Sequence, residues 1–315
     1  MQKYILVVKG GASTERDVSL HSGITVERSF SRLGIQFKSI DVTSFNDLYE
    51  YDMTGVVYVF IALHGGFGED GTLQHYLHTL GIPHNGAKAL GSAIGMNKLL
   101  AKQIALQCNI PTPKSVYIAK SGYAPPFTQV SSSLGVPVIV KPCNQGCSVG
   151  VSIAATEAEY LEAVALCLSY EDDILIEEFI PGQEVAMFHL DGHSLPLISV
   201  NHTQPFFNVE AKFFSNGSTT FDRAALNDIA ETKIRVATET LVSYLDILDY
   251  CRVDFIVRED EAFFIEINTL PGLVEQPAYV KHSELESIDE IIYKIVVSAI
   301  SETDYDALLN GETIA

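Results

Sequence analysis

Four side chains in the last quarter of the sequence, Arg252, Asp254, Glu266 and Asn268, combine one cation with three oxygen donors. They stand in two alternating runs, Arg252-Val-Asp254 and Glu266-Ile-Asn268, and alternate residues of a strand share a face. The charged stretch Arg258-Glu-Asp-Glu261 between them reads as a turn, so the runs predict a β-hairpin. For both polar pairs to share one face, facing positions must add to an even number, which requires a three-residue turn or a β-bulge. Hard oxygens clustered in this way suit Mg²⁺ bridging phosphates. A solvated, salt-bridged strand face would look the same, and residue types alone leave both readings open.

Lys141 closes the apolar run Val138-Ile-Val and precedes Asn144-Gln-Gly-Cys-Ser-Val-Gly150. An ammonium at a strand end, followed by a loop whose glycines expose backbone N–H groups, is suited to phosphate oxygens. An ordinary strand-end lysine has the same appearance. A third run, His64-Gly-Gly-Phe-Gly-Glu-Asp-Gly71, brings backbone close to a ligand and puts acids where a helix starts. No G-x-G-x-x-G follows the first strand, the place where a dinucleotide-binding fold carries it, which argues against a nicotinamide-binding fold.

The elements that must position these groups follow from periodicity. Residues 4–8 and 56–63 read as buried strands ending in glycines, each followed by a helix; Val26, Phe30 and Leu33 mark one apolar face, and residues 73–80 form a short helix. Strand, Gly-rich turn and helix, repeated, predict a parallel α/β sheet over 1–93. A helix over 94–118, stopped by Pro111 and Pro113, then strands at 115–118, 136–141 and 174–178 and a helix at 156–169, predict a central unit over 94–181. Strands at 184–190, 195–200, 251–257 and 262–267 and two apolar-faced helices predict a third unit over 182–315. Residues 201–220 read as a long loop.

The 315 residues leave room for two or three units, and 47% hydrophobic residues allow a sizeable core. A net charge of −20 weighs against nucleic-acid and membrane-surface partners. An anionic ligand would need a local cationic patch inside a pocket. No apolar run approaches the roughly 20 residues that cross a bilayer, and five cysteines suggest reduced thiols, so a cytoplasmic protein is expected.

Taken together and in order, eight segments resemble the D-alanine–D-alanine ligases of the ATP-grasp superfamily over nearly the whole chain. They are Gly10–Glu15 with Val18–Gly23, His64–Gln74, Met96-Asn97-Lys98, Lys141–Gly150, Glu177–Glu184, Glu210-Ala-Lys212, Arg252–Asp254 and Glu266–Gly272. The resemblance implies an α/β chain, α+β in its C-terminal part, with the ATP-grasp fold: a Rossmann-like parallel sheet and two lobes sandwiching ATP. It implies that Lys98 and Lys141 bind ATP phosphates and that Glu177, Phe179, Ile180 and Glu184 frame adenine and ribose. Lys212 would sit on a loop closing the site. Asp254, Glu266 and Asn268 would hold two Mg²⁺ ions, with Mn²⁺ as a substitute. Arg252 and the backbone at Gly272 would stabilise an oxyanion, Glu15 would take a substrate ammonium, and His64, Cys147 and Ser148 belong to the same site. The implied reaction phosphorylates a carboxylate to an acyl phosphate, which a second amino acid's amine attacks, in a homodimer serving peptidoglycan synthesis.

Three positions depart from the family pattern. Cys147 replaces a loop serine and Phe213 a tyrosine, removing two hydroxyls that would clamp the long loop together with Glu15. Pro277 stands where a serine would bind the second substrate's carboxylate, and Glu275 adds a charge nearby. These departures suggest a looser clamp and leave room for another acceptor, such as D-lactate, or a specialised dipeptide or amide. A nucleotide-binding relative without turnover is a further alternative, which retention of the lysines and metal-binding residues opposes. Cys147 as a nucleophile would need a base at hydrogen-bonding distance, and no histidine is placed there by the sequence.

Overall fold

The computed structural model describes residues 2–119, 123–202, 219–247, 249–275, 280, 283 and 285–310. β1 (Tyr4–Gly10) is flanked by β2 (Phe37–Val42) and β3 (Val56–Ile61) in a parallel sheet of order β2-β1-β3. Tyr4 to Val8 are wholly buried, as the centre of a parallel sheet covered on both faces must be. β2 went unforeseen, because an edge strand such as Phe-Lys-Ser-Ile-Asp-Val needs no continuous apolar run. α1 (Arg16–Leu33) covers one side with Val26 and Phe30 at zero exposure, and α2 (Phe45–Tyr49) and α3 (Thr72–Leu80) follow.

The helix expected over 94–118 is two helices. α4 (Ala89–Met96) and α5 (Lys98–Gln107) meet at Asn97, whose backbone is extended and whose Oδ1 accepts the Leu100 N–H at 2.9 Å. An N-cap of this kind satisfies a first-turn donor and starts a new helix. Its Nδ2 donates to Asn144 Oδ1 at 2.8 Å, a donor that an aspartate could not supply. Lys98, Ala101, Lys102 and Ala105 form one stripe of α5, all buried. The alanines pack in the same core as Val253, Phe255, Phe264 and Ile267, so the helix brings two lysines under the sheet that carries those residues.

The central antiparallel sheet has the order β4-β7-β5-β6 (Ser115–Ile118, Ile174–Glu178, Val138–Pro142, Ser152–Ala154), backed by α6 (Phe127–Leu134) and α7 (Glu157–Leu168). The third sheet has the order β11-β10-β8-β12-β13, with β9 (His193–Ser194) beside β8. Its strands are β8 (Gln183–Leu190), β10 (Ile198–His202), β11 (Thr219–Arg223), β12 (Tyr250–Arg258) and β13 (Glu261–Asn268), covered by α8 (Asp228–Tyr244). The strand expected at 195–200 is shifted to β10, and the ends of the expected 201–220 loop belong to β10 and β11. Its remainder, with Lys212 and Phe213, lies outside the described residues, as does Pro277. The three sheets fall within 1–93, 94–181 and 182–315, the division we propose for the lobes.

α9 (Ile288–Val297) and α10 (Glu302–Asn310) close the chain. Ile288, Ile291, Ile292, Ile295 and Val296 of α9 enter the core of the first sheet together with Leu270 and Leu273. The C-terminal helix thereby ties the loop after β13 to α1. Replacing Ile292, at zero exposure, by alanine should cost about 2–5 kcal/mol, read as a lowered urea midpoint with an unchanged slope.

Candidate active site

The hairpin forms as the alternation requires, and a bulge supplies the even register. Arg252 faces Asn268 and Asp254 faces Glu266, whereas Phe255 faces Phe264, so Ile265 is the extra residue. The turn itself has two residues, Glu259 and Asp260. The bulge re-aims Ile265 into the adjacent cavity, a common use of bulges beside functional sites. Arg252 grips Asp254 with a two-pronged contact, Nε to Oδ1 at 2.7 Å and Nη2 to Oδ2 at 2.8 Å, and Asn268 Nδ2 donates to Oδ2 at 3.4 Å.

Asp254 and Glu266 line a cavity of about 450 Å³ together with Lys98 and Lys141. A volume of that size is ordinary for a nucleotide-sized ligand. Lys98 is buried, donates to the Gln145 carbonyl at 2.5 Å and lies 3.5 Å from Glu266 Oε2. Lys141 Nζ lies 2.6 Å from Glu177 Oε2, and Lys102 Nζ lies 2.7 Å from Glu177 Oε1. All three side chains of that triad are at most 6% exposed. Burial alone would push the Glu177 carboxyl up, but the two ammonium groups outweigh it and hold it below its ordinary value. Burial also draws the Lys102 ammonium down, a shift that Glu177 opposes. Lys102 was missed in the sequence; its spacing of four from Lys98 on one helix face was the available signal.

Phe179, Ile180, Glu184 and Ser148 line the same cavity. Cys147 and Ser148 both have left-handed backbone, with φ of 50° and 60°, strain that a functional loop tolerates. Glu15 is buried between two loops: a Cβ on Gly146 would meet its Oε1 at 2.2 Å, so only glycine allows this approach. The Cys147 thiol donates to Glu15 Oε2 at 2.6 Å, taking up the contact whose loss the missing hydroxyl suggested. The partner is therefore a carboxylate, not a histidine.

His64 is wholly buried and held down to about 4 by that burial, against a backbone hydrogen bond at Leu270, so it is neutral at pH 7. Its Nε2 meets Ser22 Oγ at 2.9 Å, and Ser22 Oγ accepts the Leu273 N–H at 3.1 Å. Gly272 is thus held between two residues anchored to the first sheet. Glu275 does not point toward an acceptor site: it lies 3.6 Å from Arg28 and 3.3 Å from Arg32 on α1. Glu69 was not singled out by the sequence. It is buried, accepts the Gly65 N–H at 2.5 Å, and is pushed up to about 8 by burial and by the charge of Glu15.

Among the described residues no group of three or more His, Cys, Asp or Glu could cage a metal ion. Asp254, Glu266 and the Asn268 carboxamide still form a hard-oxygen set of the kind Mg²⁺ uses when phosphates and water complete its shell.

A family model described as D-ala D-ala ligase C-terminus matches residues 104–297. The chain belongs to the D-alanine–D-alanine ligase family. A D-alanine–D-alanine ligase of Clostridium perfringens is 33% identical over 294 residues, 91% of this chain and 96% of that relative. One from Buchnera aphidicola is 34% identical over 303 residues, covering 95% and 97%. The crystal structure of the Bacillus anthracis ligase complexed with ATP superposes with a TM-score of 0.81 at 28% identity, covering 94% and 97%. The ATP-grasp fold of this family is the fold of the chain.

Two predictions follow from the buried charges. Lys102→Met leaves Glu177 to Lys141 alone, so Lys141 is more tightly held and calorimetry should show nucleotide binding weakened about tenfold, ~1.4 kcal/mol. Glu69 keeps its proton to about pH 8 in the folded chain, against an ordinary value of 4.5. Its contribution to stability is full below that ordinary value and lost as pH rises through about 8. Glu69→Gln should flatten the fall in Tm across that window.

Proposed function

We propose that the protein joins two D-alanine molecules at the expense of ATP, through an acyl phosphate. The observation that carries the reading is one cavity holding Lys98 and Lys141 opposite Asp254 and Glu266. In this reading the two lysines neutralise the triphosphate, and Phe179, Ile180, Glu177 and Glu184 frame adenine and ribose. Mg²⁺ held by Asp254, Glu266 and Asn268 would draw charge from the transferring phosphoryl group; two ions, or Mn²⁺, suit the same donors.

The first D-alanine places its ammonium at Glu15, beside Cys147 and Ser148, with His64 at the back of the pocket. Its carboxylate oxygen attacks the γ-phosphorus, the bond to the bridging oxygen breaks, and ADP leaves. The amine of the second D-alanine then attacks the acyl carbon. The charge that develops on the carbonyl oxygen falls to Arg252 and the Gly272 backbone, and phosphate departs. Lys212 would close over the site. Such chemistry needs positioning and charge neutralisation more than a protein nucleophile, which is why no base–thiol pair is required.

The pairing of Glu275 with Arg28 and Arg32 removes one motive for another acceptor, because its charge is spent on α1. A homodimer and a cytoplasmic setting complete the reading; among the described residues no helix is long and apolar enough to cross a membrane. Mass spectrometry after incubation with ATP, Mg²⁺ and D-alanine should find D-alanyl-D-alanine, ADP and phosphate in equal amounts. Depsipeptide in preference to dipeptide when D-lactate is added, or no ADP at all, would refute it.

A further inference from the structure

A second cleft, of about 580 Å³, opens beside α3 and has no lining residue in common with the nucleotide cavity. Three of the chain's nine histidines line it, His75, His78 and His84, together with Lys88. No acidic residue is among the described residues that line it, although the chain carries 40 acids against 20 lysines and arginines. The nearest carboxylate partner is Asp246, 2.7 Å from Lys88 Nζ. The remaining wall is the first turn of α4 and Ser298 and Ala299 beyond α9, which add no charge.

His75 and His78 lie three apart on one face of α3 and are exposed. His84 is buried, and its Nδ1 donates to the Asn85 carbonyl at 2.8 Å, which leaves Nε2 as the uncommitted ring nitrogen. His84 lies below its ordinary value because of burial and because His78 faces it. Two imidazoles that oppose each other's protonation are reconciled by an anion seated between them. These histidines are not a metal site, since no such grouping could hold a metal among the described residues. A polyatomic anion can bridge groups too far apart for one ion.

An independent feature lies on the same wall. Gln74 is 1% exposed; its Nε2 donates to the Gly68 carbonyl at 2.6 Å, while its Oε1 has no partner. That acceptor is sealed from solvent as well as unpartnered, so it belongs to the packing behind the wall and not to the binding surface.

We propose that this cleft binds a small metabolite whose carboxylate or phosphate group is held by His75, His78, His84 and Lys88. The helices that line the cleft adjoin segments of the candidate active site in sequence. α3 begins directly after Glu69-Asp70-Gly71, and α4 ends one residue before Asn97-Lys98. An occupant would therefore rest on the helix that follows Glu69 and the helix that precedes Lys98.

Sulfate and acetate serve as probes, because neither changes charge between about pH 6 and 8, whereas histidines do. Imidazole NMR signals of His78 and His84 in the full chain should shift saturably with at least one probe, about tenfold more tightly at the lower pH. Response to sulfate alone assigns a phosphate-bearing ligand, and to acetate alone a carboxylate. The shifts should persist with the nucleotide cavity filled by a non-hydrolysable ATP analogue. The His84 shift should disappear in His75→Gln/His78→Gln, a change at two exposed positions, and both shifts should weaken in Lys88→Gln. No saturable shift with either probe, equal affinity at both pH values, survival in the double variant, or competition by the analogue would each overturn the proposal.

Discussion

Two buried ammonium groups, each paired with a carboxylate from a different sheet, are the constraint on which the rest of the structure depends. Lys98 stands near Glu266 of the C-terminal sheet, and Lys141 stands on Glu177 of the central sheet. A chain with a net charge of −20 repels a polyphosphate at every exposed surface. It can accept one only where cations are concentrated, desolvated and already oriented. Burying a lysine without a partner would cost several kcal/mol, so each lysine has a carboxylate, and Lys102 adds the second cation that keeps Glu177 ionised. The electrostatic layout of the free protein is in this sense prepared for the ligand.

The lobes follow from that need. α5 carries Lys98 and Lys102 on the stripe that Ala101 and Ala105 press into the third sheet's core, and the small alanines let the helix approach closely. β5 carries Lys141 beside β7, which carries Glu177. The first sheet joins by a different contact, Glu15 lying against Gly146 and Cys147. The His64–Ser22–Leu273 chain then fixes the loop after β13 to the same sheet. The half-sites we propose for nucleotide and amino acid are thereby registered through a few short polar contacts.

Much of this was legible in the sequence where a period or a spacing carried it. The alternation of Arg252, Asp254, Glu266 and Asn268 implied one shared face, and the parity of the positions implied a three-residue turn or a bulge, of which the structure has the bulge, at Ile265. The eight ordered segments implied the family and its fold. What was not legible depended on three-dimensional neighbours. Lys102 and Glu69 are recognised by burial and by partners remote in sequence. The break at Asn97 rests on one cap, in a stretch whose apolar pattern runs straight through. Glu275 reads as a charge beside the acceptor until Arg28 and Arg32 are seen on the neighbouring helix face. The thiol of Cys147 reads as a lost hydroxyl until its contact with Glu15 is visible.

The most direct test is a crystal structure of the protein with a non-hydrolysable ATP analogue and Mg²⁺. The nucleotide should lie between the central and C-terminal sheets, with phosphate oxygens about 3 Å from the ammonium groups of both Lys98 and Lys141. A nucleotide bound elsewhere, or one in the cleft whose phosphates leave both lysines paired only with Glu266 and Glu177, would contradict the assignment of this cavity as the site of phosphoryl transfer.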